Sequence, residues 1–106
     1  MIRHIVLIRF RPEIPEAVIE TIFTSLAALG PQITGMLDFA GGRSESPEQM
    51  ERGYMHGFTI DFADWASLAT YADHPDHRRA AAQLVDNAQD GANGILVFDL
   101  AIATPD

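Results

Sequence analysis

The stretch YMHGFTIDF, residues 54–62, alternates ring-bearing or aliphatic side chains with small or polar ones. A period of two residues is typical of a β-strand with one face in a protein core. One face of this predicted strand carries Tyr54, His56, Phe58, Ile60 and Phe62. The core-facing side therefore includes a histidine, and the surrounding elements decide what that histidine meets.

Four strands, including this one, and three helical segments are predicted. The strands are Ile2–Phe10, Ile33–Ala40, Tyr54–Phe62 and Ile95–Ala101. The first has apolar residues on both faces, which predicts that both faces are covered. A helix with the stripe Val18, Ile22, Leu26 and Leu29, widened by Ile19 and Phe23, is predicted from Pro15 to Gly30. The pair Gly41-Gly42 predicts the start of a loop.

The second half contains a helix, a break and another helical segment. Asp64 is predicted to be the N-cap of a helix that carries Tyr71, and Pro75 ends or bends it. His77 begins the next apolar stripe, which continues through Ala81, Leu84 and Ala88. His74, directly before the proline, is predicted first of all to cap or shape that bend.

The element order predicts an α+β fold of the ferredoxin-like, split βαβ kind, with a four-stranded antiparallel sheet in one domain, residues 1–106. Right-handed crossovers place the helices on one side of the sheet. Ile5, Leu7 and Met55 are then expected to lie on the uncovered face. A homodimer joined through that face, giving a dimeric α/β barrel, would bury them, and a tolerated exposed patch is the alternative.

Composition excludes several classes of function. The chain has 106 residues, a formal net charge of −8 and no cysteine. A strongly negative chain does not favour nucleic acid or an anionic membrane as its partner. The lack of cysteine excludes disulfides, thiolate metal sites and cysteine nucleophiles. The longest apolar runs are shorter than the ~18 residues of a membrane span, so a cytoplasmic protein is expected.

The histidines are the main candidates for chemistry. His4 lies on the apolar face of the first strand and His56 on that of the third. In the split βαβ order those strands are expected to be adjacent and parallel, so both histidines are expected at one end of the sheet. The following helix would return Tyr71 and His77 to the same end, so these four side chains are expected to converge.

Each of these residues also has a simpler interpretation. A lone histidine on an apolar face is often a hydrogen-bonded core residue. This is the favoured interpretation of His56, whose ring would orient His4, donate to a backbone carbonyl or fill space. Tyr71 could be a packing aromatic. A metal site is not favoured, because the spacing of His74 and His77 is not that of a known zinc motif and no acidic residue shares the strand face of His4.

Two arginines leave a further alternative open. Arg9 and Arg11 could bind an anionic substrate, although solubility of the strand edge or ion pairs between subunits are the favoured explanations.

Several segments together resemble one known family. They are HIVLIRF (4–10), SPE (46–48), GYMHGFTIDF (53–62), YADHPDH (71–77) and VFD (97–99). In this combination the chain resembles the stress-responsive dimeric α/β-barrel domain proteins. The resemblance implies a homodimer with two ferredoxin-like sheets face to face. The family includes plant stress-induced proteins and a branch of cyclases that close a linear polyketide without a cofactor.

The same resemblance suggests roles for individual residues. In the cyclase branch, catalysis is assigned to histidines that match His4 and His77. A tyrosine that matches Tyr71 lines the pocket, and further histidines match His56 and His74. These correspondences imply an acid–base pair that needs no cofactor and no metal.

The leading hypothesis is therefore a small-molecule-binding, stress-responsive protein that acts as a cofactor-independent lyase or isomerase on a small apolar or aromatic ligand. His77 would be the general base, and His4 would polarise or protonate a carbonyl oxygen. Residues expected to contact the substrate are Tyr71, His56, Phe23, Phe58 and Ile60. The alternatives are a cofactor-free monooxygenase and a non-enzymatic dimer that binds a ligand or protein, whose cavity would be too small for a substrate.

Overall fold

The chain forms four strands and three helices in the order that the sequence predicts. The computed structural model describes residues 1–103. The elements are β1 (Ile2–Ile8), α1 (Glu16–Ala27), β2 (Met36–Arg43), β3 (His56–Phe62), α2 (Trp65–Asp73), α3 (Pro75–Asn87) and β4 (Ile95–Ala101). Single 3₁₀ turns, Gly30–Gln32 and Gly91–Gly94, precede β2 and β4. This is the predicted ferredoxin-like fold.

The sheet has the strand order β2-β3-β1-β4, and every neighbouring pair is antiparallel. The expectation that the first and third strands are parallel was wrong. The crossover through α1 makes β2 run in the direction of β1, and the hairpin connection after β2 then reverses β3. As a result His4 pairs with Ile60 near the end of β3, while His56 pairs with Ile8 at the other end of β1.

The strand β2 continues through the glycine pair that was predicted to open a loop. Gly41 pairs with Phe58 and Gly42 with Gly57. A Cβ on Gly41 would lie 3.0 Å from the Cβ of Phe58 and 3.1 Å from the ring of Phe23. A residue without a side chain is needed here because the strand passes close beneath two aromatic side chains. This explains the glycine inside the strand.

The buried face of helix α1 differs slightly from the one that the spacing of its apolar residues predicted. Its buried side chains are Ile19, Ile22, Phe23 and Leu26. Val18, which was placed on the buried stripe, is 38% exposed. The stripe is centred between Ile19 and Phe23, and Val18 lies at its margin.

Helices α2 and α3 meet at an elbow at His74, and each helix begins with a side-chain cap. Asp64 caps α2 as predicted, because its carboxylate accepts hydrogen bonds from the backbone N–H of Ser67 at 2.8 Å and from its hydroxyl at 2.7 Å. His74 caps α3, because its Nδ1 accepts from the N–H of Asp76 at 3.0 Å. Pro75 takes the first helical position of α3, where its missing N–H costs nothing. The elbow therefore fixes the direction of α3.

Within residues 1–103, the helices cover one face of the sheet and leave the other open. Alternate residues of β1 and β3 are buried, and the odd-numbered residues of β1 are half-buried or exposed, so the expected cover on both faces of β1 is absent within residues 1–103. The register places Leu7 beside Leu96 and Ile5 beside Phe98 on the open face. Of these, Phe98 is 62% exposed and Leu96 is 48% exposed.

Within residues 1–103, none of the helices combines the length and the hydropathy that a membrane crossing requires.

Candidate functional site

A cavity of about 260 Å³ lies between the β1–β4 side of the sheet and the α2–α3 elbow. Its wall is mainly apolar, and its polar side chains are two histidines and a tyrosine. The lining residues are His4, Val6, Leu26, Phe58, Leu68, Tyr71, Ala72, His77, Ala81, Leu84, Val85, Ile95 and Val97. A small number of polar groups in an apolar cavity is the usual composition of a small-molecule site.

His4 enters this cavity from the first strand, and a carboxylate holds its ring. The Nδ1 of His4 lies 2.6 Å from Oδ1 of Asp99, the residue opposite it on β4. An ionised carboxylate only accepts hydrogen bonds, so Nδ1 carries the hydrogen and donates it. The other ring nitrogen, Nε2, is then available for proton exchange with a ligand.

Tyr71 lies between the two cavity histidines and is almost fully buried. Its ring centroid is 5.9 Å from that of His4 and 4.4 Å from that of His77. Its hydroxyl is buried and has no hydrogen-bond partner within residues 1–103. Burial raises the pKa of the Tyr71 hydroxyl far above its ordinary value, so the group stays protonated as a donor.

His77 lies in the first turn of α3, on the other side of Tyr71. Its Nδ1 lies 3.0 Å from the carbonyl oxygen of Ala72, and a carbonyl only accepts, so Nδ1 donates its hydrogen there. Burial is the main cause that lowers the pKa of His77 below its ordinary value of 6.5. The ring is therefore neutral at pH 7, and its Nε2 carries a free lone pair.

The structure brings His4, Tyr71 and His77 together and places His56 elsewhere. The expectation that His56 shares the end of the sheet with His4 was wrong, because β1 and β3 are antiparallel. His56 therefore cannot orient His4 directly. Its Nε2 lies 2.9 and 3.0 Å from the two carboxylate oxygens of Glu16 in the first turn of α1.

The remaining expected contact residues divide between the two regions. Phe58 lines the cavity, and its ring centroid is 6.4 Å from that of His4. Ile60 pairs with His4 across the strands, but it is fully buried in the core and does not line the cavity. Phe23 packs its ring edge against Phe58, with the centroids 5.3 Å apart, and lines a separate groove between α1 and β2.

Glu16 links two strand ends to the start of α1. Besides His56, its carboxylate binds the guanidinium of Arg43 at 3.1 Å. The hydrogen bond from His56 is the largest cause that lowers the pKa of Glu16. Arg43 is the last residue of β2 and His56 the first residue of β3. This cluster therefore supports the fold at the end of the sheet away from His4.

Asp99 is the site residue that reasoning from the sequence missed. The expectation considered only acidic residues on the strand of His4 itself, whereas Asp99 reaches His4 from the neighbouring strand. A signal was present, because Asp99 is the one charged residue in the otherwise apolar strand ILVFDLA. Using that signal requires the register of β4 against β1, which the sequence does not specify.

No three histidine, aspartate or glutamate side chains group closely enough to hold a metal ion in the part of the chain from residue 1 to 103.

The comparison with protein families agrees with the fold and covers almost the whole chain. The model of the Stress responsive A/B Barrel Domain matches residues 2–102. The chain belongs to this family. The shared domain accounts for all four strands and all three helices described above.

Relatives of this A/B barrel protein include plant proteins and a bacterial structure. Olivetolic acid cyclase of Cannabis sativa is 29% identical over 76 residues, which are 72% of this chain and 75% of the cyclase. A stress-response A/B barrel domain-containing protein of Arabidopsis thaliana is 30% identical over 76 residues, 72% of this chain and 70% of that protein. A dimeric ferredoxin-like protein of unknown function from Jannaschia is 36% identical, with a TM-score of 0.89 over 95% of this chain and 98% of that one.

Proposed function

We propose that this A/B barrel protein binds a compact apolar carbonyl compound and catalyses its isomerisation or cyclisation by acid–base chemistry, without a cofactor. The observation that carries the proposal is the set of three polar atoms in one apolar cavity. They are Nε2 of His77, Nε2 of His4 and the unpartnered hydroxyl of Tyr71. None of these three atoms is used by the contacts that hold its side chain in place.

Each group has a separate proposed role. His77 is neutral and presents a lone pair, so it acts as the base that removes a proton from the carbon next to a carbonyl. The Tyr71 hydroxyl donates a hydrogen bond to that carbonyl oxygen, where negative charge develops. Asp99 holds the ring of His4 and counterbalances the charge that the ring carries when it is protonated.

These roles together give an intramolecular cyclisation in which every proton is accounted for. The enolate carbon attacks a second carbonyl carbon of the same substrate, and a carbon–carbon bond forms. Nε2 of protonated His4 gives its proton to the oxygen of that second carbonyl. His77 releases the proton it took to water and His4 regains one, so the product is an isomer of the substrate.

The cavity limits the size of the substrate. Its volume of about 260 Å³ is close to the lower end, roughly 300 Å³, of typical small-molecule pockets. A single ring with a short substituent suits this space. The similarity to a cyclase, at 29% identity, supports the reaction class, whereas the substrate proposed here follows from the cavity.

A homodimer through the open sheet face is part of the proposal. The dimeric state of the bacterial relative, at 36% identity, supports it, as does the row of exposed apolar side chains on β4. Burial of such a row removes an apolar patch from water. The cavity lies on the opposite, helix-covered face and stays accessible in this arrangement.

The first step can be tested without knowing the natural substrate. Proton abstraction next to a carbonyl exchanges the methyl hydrogens of acetophenone for deuterium in D₂O, which proton NMR measures directly. We expect exchange above the buffer rate with the native protein, and loss of about 100-fold or more of that rate in His77→Gln. His56→Gln is the matched control, since it replaces a buried histidine outside the cavity, and it should keep the native rate.

Two results would contradict the proposal in different ways. If acetophenone binds, as shown by saturation-transfer NMR, but does not exchange, the protein is a ligand-binding dimer and not an enzyme of this kind. If His77→Gln exchanges at the native rate while circular dichroism shows a folded protein, His77 is not the base.

A further inference from the structure

A second cavity, of about 460 Å³, lies beyond the end of β1 that is remote from His4, and three arginines line it. They are Arg9, Arg11 and Arg43. The chain has only seven basic residues, all arginines, and a net charge of −8. Three of those seven at one cavity is therefore a local concentration of positive charge in an acidic protein.

The carboxylates that pair with these arginines lie mostly outside the cavity. Arg9 binds Asp90 at 3.1 Å and Arg11 binds Glu13 at 2.8 Å, and neither of those acids lines the cavity. Glu16, which binds Arg43 at 3.1 Å, is the acidic residue in the lining. The lining thus contains three arginines and one acidic residue, and each guanidinium has one carboxylate partner within 3.1 Å. The guanidinium N–H groups that these pairs leave unused are what an anionic ligand would bind.

Arg9 adds a donor that lacks an acceptor. One terminal nitrogen of its guanidinium binds Asp90, and the group lies 5.4 Å from the ring centroid of Tyr54. Its Nε–H is buried and has no hydrogen-bond partner within residues 1–103. A buried donor without an acceptor is unfavourable, and an acceptor atom of a ligand would satisfy it.

The rest of the wall is apolar and contains Phe10, Ile14 and Ile19. Guanidinium groups recognise planar carboxylates well, and an apolar wall favours a ligand with a hydrocarbon body. We infer that this cavity binds a small organic carboxylate, with its acid group at Arg9 and its apolar body against Phe10 and Ile14.

This site is separate from the one proposed for catalysis. His4 and Ile8 are four residues apart on β1, which corresponds to about 13 Å along the strand, and Arg9 follows Ile8. The inference therefore does not depend on the proposed function. It develops the alternative, open from the sequence, that Arg9 and Arg11 bind an anion.

Titrations monitored by ¹⁵N–¹H NMR test the inference with four probes: hexanoate, benzoate, hexanol and inorganic phosphate. We expect the two carboxylates to shift the backbone amides of Arg9, Arg11, Gly53 and Gln89, which line this cavity. Hexanol, which has the same chain without the charge, should bind at least about ten-fold more weakly at these residues.

Variants of Arg9 separate a specific donor from general charge. Arg9→Gln should weaken hexanoate binding by about ten-fold or more, and Arg9→Lys, which keeps the charge but loses the guanidinium Nε–H, by a smaller but measurable factor. Arg52→Gln is the matched control, because it removes the same charge from an exposed arginine outside the lining. It should leave the affinity unchanged. If Arg9→Gln does not fold, the titrations of Arg9→Lys and of the native protein test whether Arg9 binds the carboxylate.

Several outcomes would overturn the inference. Shifts centred on Tyr71 and His77 would mean that carboxylates enter the other cavity. Equal binding of hexanol would mean that the arginines do not recognise the acid group. Phosphate binding without carboxylate binding would give the site a different ligand class, and an equal loss in Arg52→Gln would mean that only long-range charge matters.

Discussion

At His4, one hydrogen bond decides which ring nitrogen faces the cavity. Asp99 takes the Nδ1 hydrogen, so Nε2 is directed to a ligand. At His77 a backbone carbonyl has the same effect. Two histidines in the same tautomer, on either side of a tyrosine, form the proposed acid–base site, and partners outside the cavity wall set their orientation.

Asp99 can be tested as a positioning residue. In Asp99→Asn the amide can donate to Nδ1, which favours the other tautomer of His4 and leaves the cavity volume unchanged. We expect the rate at which a compact diketone, 2,6-heptanedione, cyclises to fall at least about ten-fold, with a much smaller change in the acetophenone exchange rate, because cyclisation needs the proton of His4 whereas exchange needs only His77 and Tyr71. Cyclisation and exchange measured by NMR on the same protein preparations separate the two effects.

Asp86→Asn is the matched control, since it removes one negative charge from an exposed position on α3. It should cyclise the diketone at the native rate. A native rate in Asp99→Asn would show that the carboxylate does not contribute to the chemistry.

His77 gives the proposed activity a defined pH dependence. Burial lowers its pKa below 6.5, and only the neutral ring can accept a proton. The exchange rate should therefore stay high as pH falls from 8 to about 6.5 and decline only at lower pH. A pH–rate profile of the native protein checks this, and a decline that begins well above pH 6.5 would contradict the role of His77.

The same residue links stability to pH. A histidine whose pKa is lower in the folded chain than in the unfolded one contributes stability that is complete above pH 6.5 and decreases as pH falls through the lower, folded value. Urea unfolding of the native protein should therefore become easier between pH 7 and pH 5. Part of that change should be absent in His77→Gln, and an identical change in both proteins would show that His77 does not cause it.

At the scale of elements, the contact between the start of β2 and the first turn of α2 depends on one glycine. Gly35 has φ of +90°, and its carbonyl accepts a hydrogen bond from the N–H of Ala63 at 2.8 Å. A Cβ at this position would lie 2.0 Å from the hydroxyl oxygen of Ser67. Ser67 is the residue whose N–H and hydroxyl are held by the cap Asp64, so it is not free to move away.

Gly35→Ala should therefore lower the free energy of unfolding by more than about 2 kcal/mol, because backbone strain and overlap with Ser67 act together. Gly30→Ala is the matched control, since a Cβ there has no heavy atom within 4 Å and its φ is not positive. It should change stability by less than about 1 kcal/mol. Urea unfolding of both variants is the measurement, and equal stabilities would contradict the assignment of Gly35.

The first turn of α1 shows a second kind of connection between elements. Glu16 is an exposed residue, yet its carboxylate reaches both the buried ring of His56 and the guanidinium of Arg43. The cluster orders the helix start against two strand ends. It also explains why a histidine lies on the buried face of β3 without belonging to the cavity of His4.

At the scale of the whole molecule, the distribution of apolar surface is one-sided. The helices cover one sheet face, whereas Leu7, Leu96, Phe98 and Leu100 remain exposed on the other. Their exposure is concentrated on β1 and the edge strand β4. A second copy placed against this face would bury them.

Phe98→Glu should convert the expected dimer into monomers, because it places a charge in the centre of the apolar row. Sedimentation velocity measures the change in mass directly. Val18→Glu is the matched control, since Val18 is exposed on α1 away from the open face, and it should leave the dimer intact. If Phe98→Glu remains dimeric, the subunits join through another surface.

The sequence by itself determined the elements and their order. The period of two in residues 56–62 specified a half-buried strand, and Asp64 and Pro75 marked the starts of α2 and α3 as the structure has them. These features are local, because strand alternation, helix caps and proline geometry depend on neighbouring residues. They were sufficient for the ferredoxin-like fold, whereas the choice of His4, Tyr71 and His77 as candidates also needed the resemblance to the A/B barrel family.

Only the tertiary structure decided which side chains meet. The antiparallel pairing of β1 and β3 moved His56 to the far end of the sheet, and the register of β4 placed Asp99 against His4. Strand direction and register arise from contacts between residues distant in the chain, and a change of register by one residue turns every side chain to the other face. The pairing of a histidine with an aspartate 95 residues away therefore has no local signature, and it is this pairing that orients the site.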